Sequence, residues 1–258
     1  MSRFRLIPKL QLALSSIFPN RLVLTVSKNF SDLREIGDAV SQSKIFQDQK
    51  ADELIFVDIS REKKNIDLLA RVIANVSEEI FMPLTAGGGV MNLDDFRLLL
   101  NNGADKISVN SGALKDPSLI KRASEKFGSQ CVVLSVDYRI IDHVPMVFIN
   151  NGTTSTGRNV FDWVVEAEDL GAGEVLLTSI DNDGTKNGLD IETLKAVTDL
   201  VSIPVIGSGG CGLAAHFIEG FSTGSANAIA AGSFFAQRDQ NFMQTRSHIA
   251  NAGINIRR

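Results

Sequence analysis

A chain of 258 residues with 44% hydrophobic and 22% charged side chains has the apolar material for a large core and the length of an eight-unit α/β barrel; it is neither collagen-like nor compositionally disordered. Twenty-six basic residues against 30 acidic ones leave a net charge of −4, which argues against nucleic acid as a partner, since phosphate-backbone binding needs a basic excess. The two distant cysteines, Cys131 and Cys211, support neither a disulfide framework nor a paired-cysteine metal site, and His143, His216 and His248 lack metal-ligand spacing.

In chain order, β-rich runs alternate with amphipathic stretches, the pattern of strand and crossover-helix units around a parallel sheet. The predicted strands are residues 5–10, 54–58, 83–86, 106–109, 132–136, 175–178, 204–207 and 228–230. Arg3, Arg5 and Lys9 ahead of residues 10–18 imitate a signal peptide, but Gln11, Ser15 and Ser16 interrupt the apolar stretch. No run approaches the roughly 18 apolar residues of a membrane span, so a cytoplasmic protein away from the membrane is expected. Helices are predicted over 92–102, 116–127 and 190–201. In the first, Asn92 is the N-cap, Leu93, Phe96, Leu99 and Leu100 form an inward stripe, and Gly103 is the stop. Longer insertions follow the first strand (12–31) and the fifth (138–156), and alternating runs at 22–26 and 144–149 suggest a small hairpin in each.

An internal repeat organises the whole. Glu53 falls on Glu174 at an offset of 121 residues, and the same offset pairs Pro83 with Pro204, Gly88 with Gly209, Gly89 with Gly210, Phe96 with Phe217 and Gly103 with Gly224. Two similar half-barrels closing into one (β/α)8 TIM barrel domain explain it; an open doubly wound sheet is the alternative.

The repeat also duplicates a glycine loop. Gly87, Gly88 and Gly89 follow the third strand and Ser208, Gly209 and Gly210 the seventh, where backbone N–H groups ahead of a helix can approach an anion. Asn110 and Ser111 follow the fourth strand and Gly232 and Ser233 the eighth, so two phosphate sites are expected. Residues 207–212 match a Gly-x-Gly-x-x-Gly fingerprint, but the acidic residue a dinucleotide site needs about 20 positions on is absent. No cofactor is expected. Asp58, Asp137, Asp181 and Asp183 stand at C-terminal strand ends, where a barrel gathers its reactive groups; Asp137 closes a strongly apolar run and is the favoured proton-transfer residue. At the opposite ends, Arg5, Glu53, Lys106 and Glu174 alternate in sign and could pair in a ring at the N-terminal mouth.

These residues resemble the HisF family, the cyclase subunits of imidazole glycerol phosphate synthase. The likeness spans nearly the whole chain and is most specific at residues 52–58, 83–89, 103–111, 127–130 and 171–186. It implies a partner, a HisH-like class I glutaminase, whose ammonia crosses the barrel and attacks a bis-phosphorylated, ribulose-linked small molecule. It places Arg5, Glu53, Lys106 and Glu174 on an ammonia gate and Asp105 near the glutaminase interface. It also places Gly89, Asn110 and Ser111 on one phosphate site, Asp183, Gly184, Gly210, Gly232 and Ser233 on the other, and Asp137 on one of two catalytic aspartates. The second aspartate position holds Gln11, which cannot transfer a proton, and Lys9 stands where the family has cysteine. Val26 aligns with a mobile lysine of the family, with Lys28 close by. These departures look more like the HisF-like proteins of surface-polysaccharide clusters, which implies amidino-sugar formation, with an additional amidotransferase as a further partner. The histidine-pathway cyclase and a silent barrel that only activates the glutaminase and conducts ammonia are the alternatives.

Overall fold

The computed structural model describes residues 4–60, 64–236 and 242–256. Its strands are β1 (Arg5–Leu14), β2 (Leu22–Lys28), β3 (Ser31–Gly37), β4 (Leu54–Asp58), β5 (Leu84–Gly87), β6 (Lys106–Val109), β7 (Val132–Ile141), β8 (Val144–Ile149), β9 (Thr154–Asn159), β10 (Glu174–Ser179), β11 (Val205–Ser208) and β12 (Ala228–Ala231). Eight of them form a closed parallel ring in the order β1, β4, β5, β6, β7, β10, β11, β12, with β12 pairing back onto β1. Helices lie between the strands. The fold is the (β/α)8 TIM barrel expected from the sequence, and closure of the ring excludes the open sheet.

Alternation along the strands separates two cores. On β1, Leu6, Leu10 and Leu12 face the helices and join the large outer core with Phe56, Phe96, Trp163 and Phe217. Ile7, between them, turns into the barrel and packs with Ile55, Val133, Leu176, Ile206, Ala228 and Ala230. The helix Leu93–Asn101 shows why the local predictions hold: the Asn92 side chain accepts from the backbone of Asp94 and Asp95, Asp95 returns a bond to the Asn92 backbone, and Phe96 and Leu99 are fully buried.

Several element boundaries differ from the sequence reading. β1 and β7 run to Leu14 and Ile141 because each leaves the barrel to pair antiparallel with β2 or β8. The hairpins therefore begin inside the strands and extend to Gly37 and Asn159. The helix predicted over 116–127 starts at Ser118 and runs to Phe127, and a separate short helix, Ser111–Lys115, precedes it, since Asp116 leaves the helical region ahead of Pro117. The repeat keeps its offset of 121 from β5 to β11 and slips to 122 from β6 to β12. No helix among the described residues is long and apolar enough to cross a membrane.

Candidate active site

The N-terminal mouth is closed by a ring of four charges. Arg5 donates to Glu53 and to Glu174 at 2.6 Å each, and Lys106 donates to the second oxygens of the same carboxylates at 3.0 and 2.9 Å. Each residue begins or immediately precedes a barrel strand, so parallel register brings them to one level. Burial disfavours the charge on Arg5, but Glu174 and Glu53 outweigh it and raise the guanidinium pKa; burial likewise opposes ionisation of Glu53, and Arg5 and Lys106 outweigh it and hold that carboxyl below its ordinary value. Asp105, exposed just ahead of β6, exchanges backbone and side-chain bonds with Leu84 and lies on this same face.

Above the ring comes the apolar inner layer, and above that the floor of the opposite mouth. From Arg5 through Ile7 and Lys9 to Gln11, alternate residues of β1 climb roughly 20 Å along the inside. The C-terminal mouth holds a cavity of about 350 Å³ lined by Lys64, Gly88, Gly89, Asn110, Ser111 and Asp137 among others, and a narrower one of about 20 Å³ lined by Ser27, Asp183, Gly184, Gly232 and Ser233. Lys9 and Gln11 line both. The structure thus brings together every residue the resemblance assigned to the two phosphate sites except Gly210. That glycine lines neither cavity and packs so tightly that a Cβ would lie 2.0 Å from the Gly188 carbonyl oxygen. Gly88, at φ +100°, requires its lack of a side chain: a Cβ would lie 2.3 Å from the Asp58 carbonyl oxygen.

The four strand-end carboxylates divide into two kinds. Asp58 is fully buried and ties its own loop through the backbone and hydroxyl of Ser60 at 2.8 and 2.6 Å. Asp181 pairs with Arg139 at 2.7 Å. Asp137 and Asp183 instead face the cavities. Asp137 accepts from Asn110 Nδ2 at 2.9 Å, and burial raises its pKa against the opposing pull of Lys9, Asn110 and Lys64. Burial also raises Asp183, opposed by Lys9, Ser27 and Gln11. Gln11 Oε1 accepts from Ser27 Oγ at 2.8 Å, and the same hydroxyl lies 3.4 Å from Asp183 Oδ2. Val26 lines the narrow cavity while Lys28 is exposed at the end of β2, outside it.

Removing one of these charges tests their burial. Asp183→Asn is expected to raise the thermal midpoint near neutral pH. The folded pKa lies above the unfolded value of about 3.9, so folding favours the protonated acid. The penalty for ionisation is absent below the unfolded value and grows as pH rises through the folded one. The gain should therefore be present at about pH 8 and vanish toward about pH 3.5 in unfolding scans; equal midpoints at about pH 8 would contradict it.

Two asparagines missed by the sequence reading hold the cover of this mouth. At the turn of the first hairpin, Asn29 Nδ2 donates to the carbonyls of Ile180 and Asp181 at 3.1 and 2.7 Å; at the turn of the second, Asn151 Nδ2 donates to those of Ile59 and Ser60 at 2.9 and 3.1 Å. Each hairpin clasps the loop of the opposite half-barrel, and the acceptors are related by the 121-residue repeat. Lys64, also missed, is half-buried, with its pKa lowered by desolvation against Asp58 and Asp137, and it donates to Asn151 Oδ1 at 3.0 Å. In the sequence Lys9 stands out as a cation ahead of the apolar stretch 10–18 and as a lysine where the family has cysteine, with no role in the site attached to it.

A closed barrel with a charged ring at one mouth and buried carboxylates at the other defines a (β/α)8-barrel protein with its polar groups concentrated at both ends of the lumen. A family model described as histidine biosynthesis protein matches residues 16–240. The chain is 46% identical over 259 residues, 100% of its length and 99% of the relative's, to a protein of Prochlorococcus marinus (strain MIT 9313) provisionally named imidazole glycerol phosphate synthase subunit hisF2. It is 44% identical over 229 residues to imidazole glycerol phosphate synthase subunit HisF of Flavobacterium johnsoniae, covering 89% of this chain and 91% of the relative, and 41% identical over 250 residues to that of Methanococcus vannielii, covering 89% and 92%. The chain belongs to the HisF family. Each of these relatives carries the synthase name, so the comparisons favour the cyclase alternative over the polysaccharide reading.

Proposed function

We propose that the chain is an ammonia-dependent cyclase subunit of the imidazole glycerol phosphate synthase type, working with a HisH-like class I glutaminase. The observation that carries this reading is the coaxial arrangement of the charged ring and Asp137, with an apolar layer between them. Neutral ammonia can enter such a layer at far lower cost than ammonium, whose charge would have to be desolvated. At the upper mouth the two cavities take the phosphates of the acceptor, and Asp137 accepts the proton that the attacking nitrogen must lose. Its raised pKa brings it closer to the range where a general base works at neutral pH. Incubation of the purified protein with ammonium chloride and the bis-phosphorylated, ribulose-linked precursor tests this reading: cyclised product is expected, and none would reject it.

A second reading is favoured by Gln11. An amide at the second acid position removes one proton-transfer group, and an activated sugar acceptor, amidinated for surface polysaccharide with a further amidotransferase, would need a different set of such groups. In that case the protein binds the histidine precursor weakly and does not cyclise it.

The partner would sit on the gate face. Phe81, 93% exposed just ahead of β5, stands on that face with Asp105. An aromatic anchor of this kind is a common interface hot spot. Phe81→Ala should weaken binding of the glutaminase by about 10- to 30-fold in calorimetry; unchanged affinity would remove Phe81 from the interface.

A further inference from the structure

We propose that Lys9 is a catalytic residue, the proton donor to the acceptor oxygen that gathers charge when ammonia attacks; this rests on the reading of an ammonia-accepting synthase given above. Position is the first ground. Lys9 and Gln11 are two residues apart on the inner face of β1, so their side chains point the same way. They are also the two residues shared by both cavities, and an acceptor holding one phosphate in each must pass over them. The group lost at Gln11 thus has a protonated neighbour one inward position lower, on a stem long enough to reach upward.

The second ground is how the ammonium is held. Lys9 is 6% exposed, and its Nζ donates to Thr178 Oγ1 at 3.1 Å and Ser208 Oγ at 3.2 Å. Both partners are neutral hydroxyls, and an ammonium has three donors. Among the described residues no carboxylate lies within ion-pair distance of it. Asp137 from β7 and Asp183 from the loop after β10 flank it at longer range, where its charge favours their ionised forms; Lys64, from the loop after β4, acts on Asp137 as well. The layer directly below is aliphatic, so packing alone does not call for an amine here, and burying one is costly. The hydroxyls steady the side chain and leave a proton to offer upward.

The step balances with the groups present. The ammonia lone pair forms a bond to the acceptor carbonyl carbon, and the C=O π pair moves to oxygen. Lys9 gives its proton to that oxygen while Asp137 takes one from the new ammonium nitrogen, which leaves a carbinolamine, a neutral lysine and a protonated aspartate. Proton return from Asp137 to Lys9 resets both.

The test uses the whole protein with ammonium chloride and the bis-phosphorylated, ribulose-linked precursor. Lys9→Met is expected to lower kcat by about 100-fold or more while KM changes less than about threefold, and Lys9→Gln, which keeps a polar side chain if the apolar variant folds poorly, should do the same. Adding Gln11→Asp to Lys9→Met should restore kcat at least about tenfold by returning an acid one step higher on the strand. A Lys9→Met or Lys9→Gln protein within about threefold of an active wild type would overturn the assignment of Lys9 alone, as would a double variant without rescue. A wild type that forms no product would overturn the cyclase reading, and the role of Lys9 in it.

Discussion

Asp137→Asn is expected to lower ammonia-driven turnover by about 10²–10⁴-fold, the range for loss of one positioned acid or base. The substitution keeps shape and preserves an oxygen for Asn110 Nδ2, which donates to Asp137 at 2.9 Å. It removes the ability to take a proton. Because burial raises the Asp137 pKa, the wild-type group also releases that proton less readily than an ordinary carboxylate does, and turnover in the wild type should fall as pH drops through the raised value. The amide variant should lack that acid limb. Steady-state kinetics across pH, with stimulation of the glutaminase measured in parallel, distinguishes the readings. A variant that retains synthesis would make the barrel a silent conduit, whereas lost synthesis with intact glutaminase stimulation would place the chemistry at Asp137.

The second large effect concerns the charged ring. Arg5→Met should destabilise the protein by about 3–5 kcal/mol, the cost of stranding buried charges by removing a partner. Glu53 and Glu174 side chains are 7% and 5% exposed and share Arg5 and Lys106 between them; without Arg5, two carboxylates face one ammonium. The pH dependence follows from Glu53, whose folded pKa is lowered. Its stabilising contribution is present above the unfolded value of about 4.3 and disappears as pH falls through the folded value. The difference between wild type and Arg5→Met should therefore be large in urea unfolding at about pH 7 and shrink in acid. A difference below about 1 kcal/mol at pH 7 would mean that water, not Lys106, satisfies the remaining carboxylates.

The ring was legible in the sequence because its members share one feature, a charge at the start of a strand, and the repeat ties Glu53 to Glu174. The eight barrel strands were legible for a similar reason: short aliphatic runs recur with turn signals between them. The polar strand β3 was not, since Ser31–Gly37 is largely exposed and carries no apolar alternation. The apolar run ahead of Asp137 marked it out in the sequence, but strand-end position alone did not separate Asp183 from Asp58 and Asp181. All four follow strands, and what divides them is a nearby partner, Ser60 for Asp58 and Arg139 for Asp181. Lys9 became meaningful only when closure of the ring brought Thr178 and Ser208 to its amine. The clasps of Asn29 and Asn151 join residues more than 90 positions apart, a relation no local pattern contains.

In the proposed function, nitrogen crosses the barrel from the ring to Asp137 without entering bulk water. The most direct measurement supplies the reconstituted complex with glutamine labelled with ¹⁵N in its side-chain amide, in a large excess of unlabelled ammonium, and reads the isotope in the product by mass spectrometry. Product that keeps the glutamine label is the predicted result. Product carrying the isotope ratio of the surrounding ammonium would contradict it.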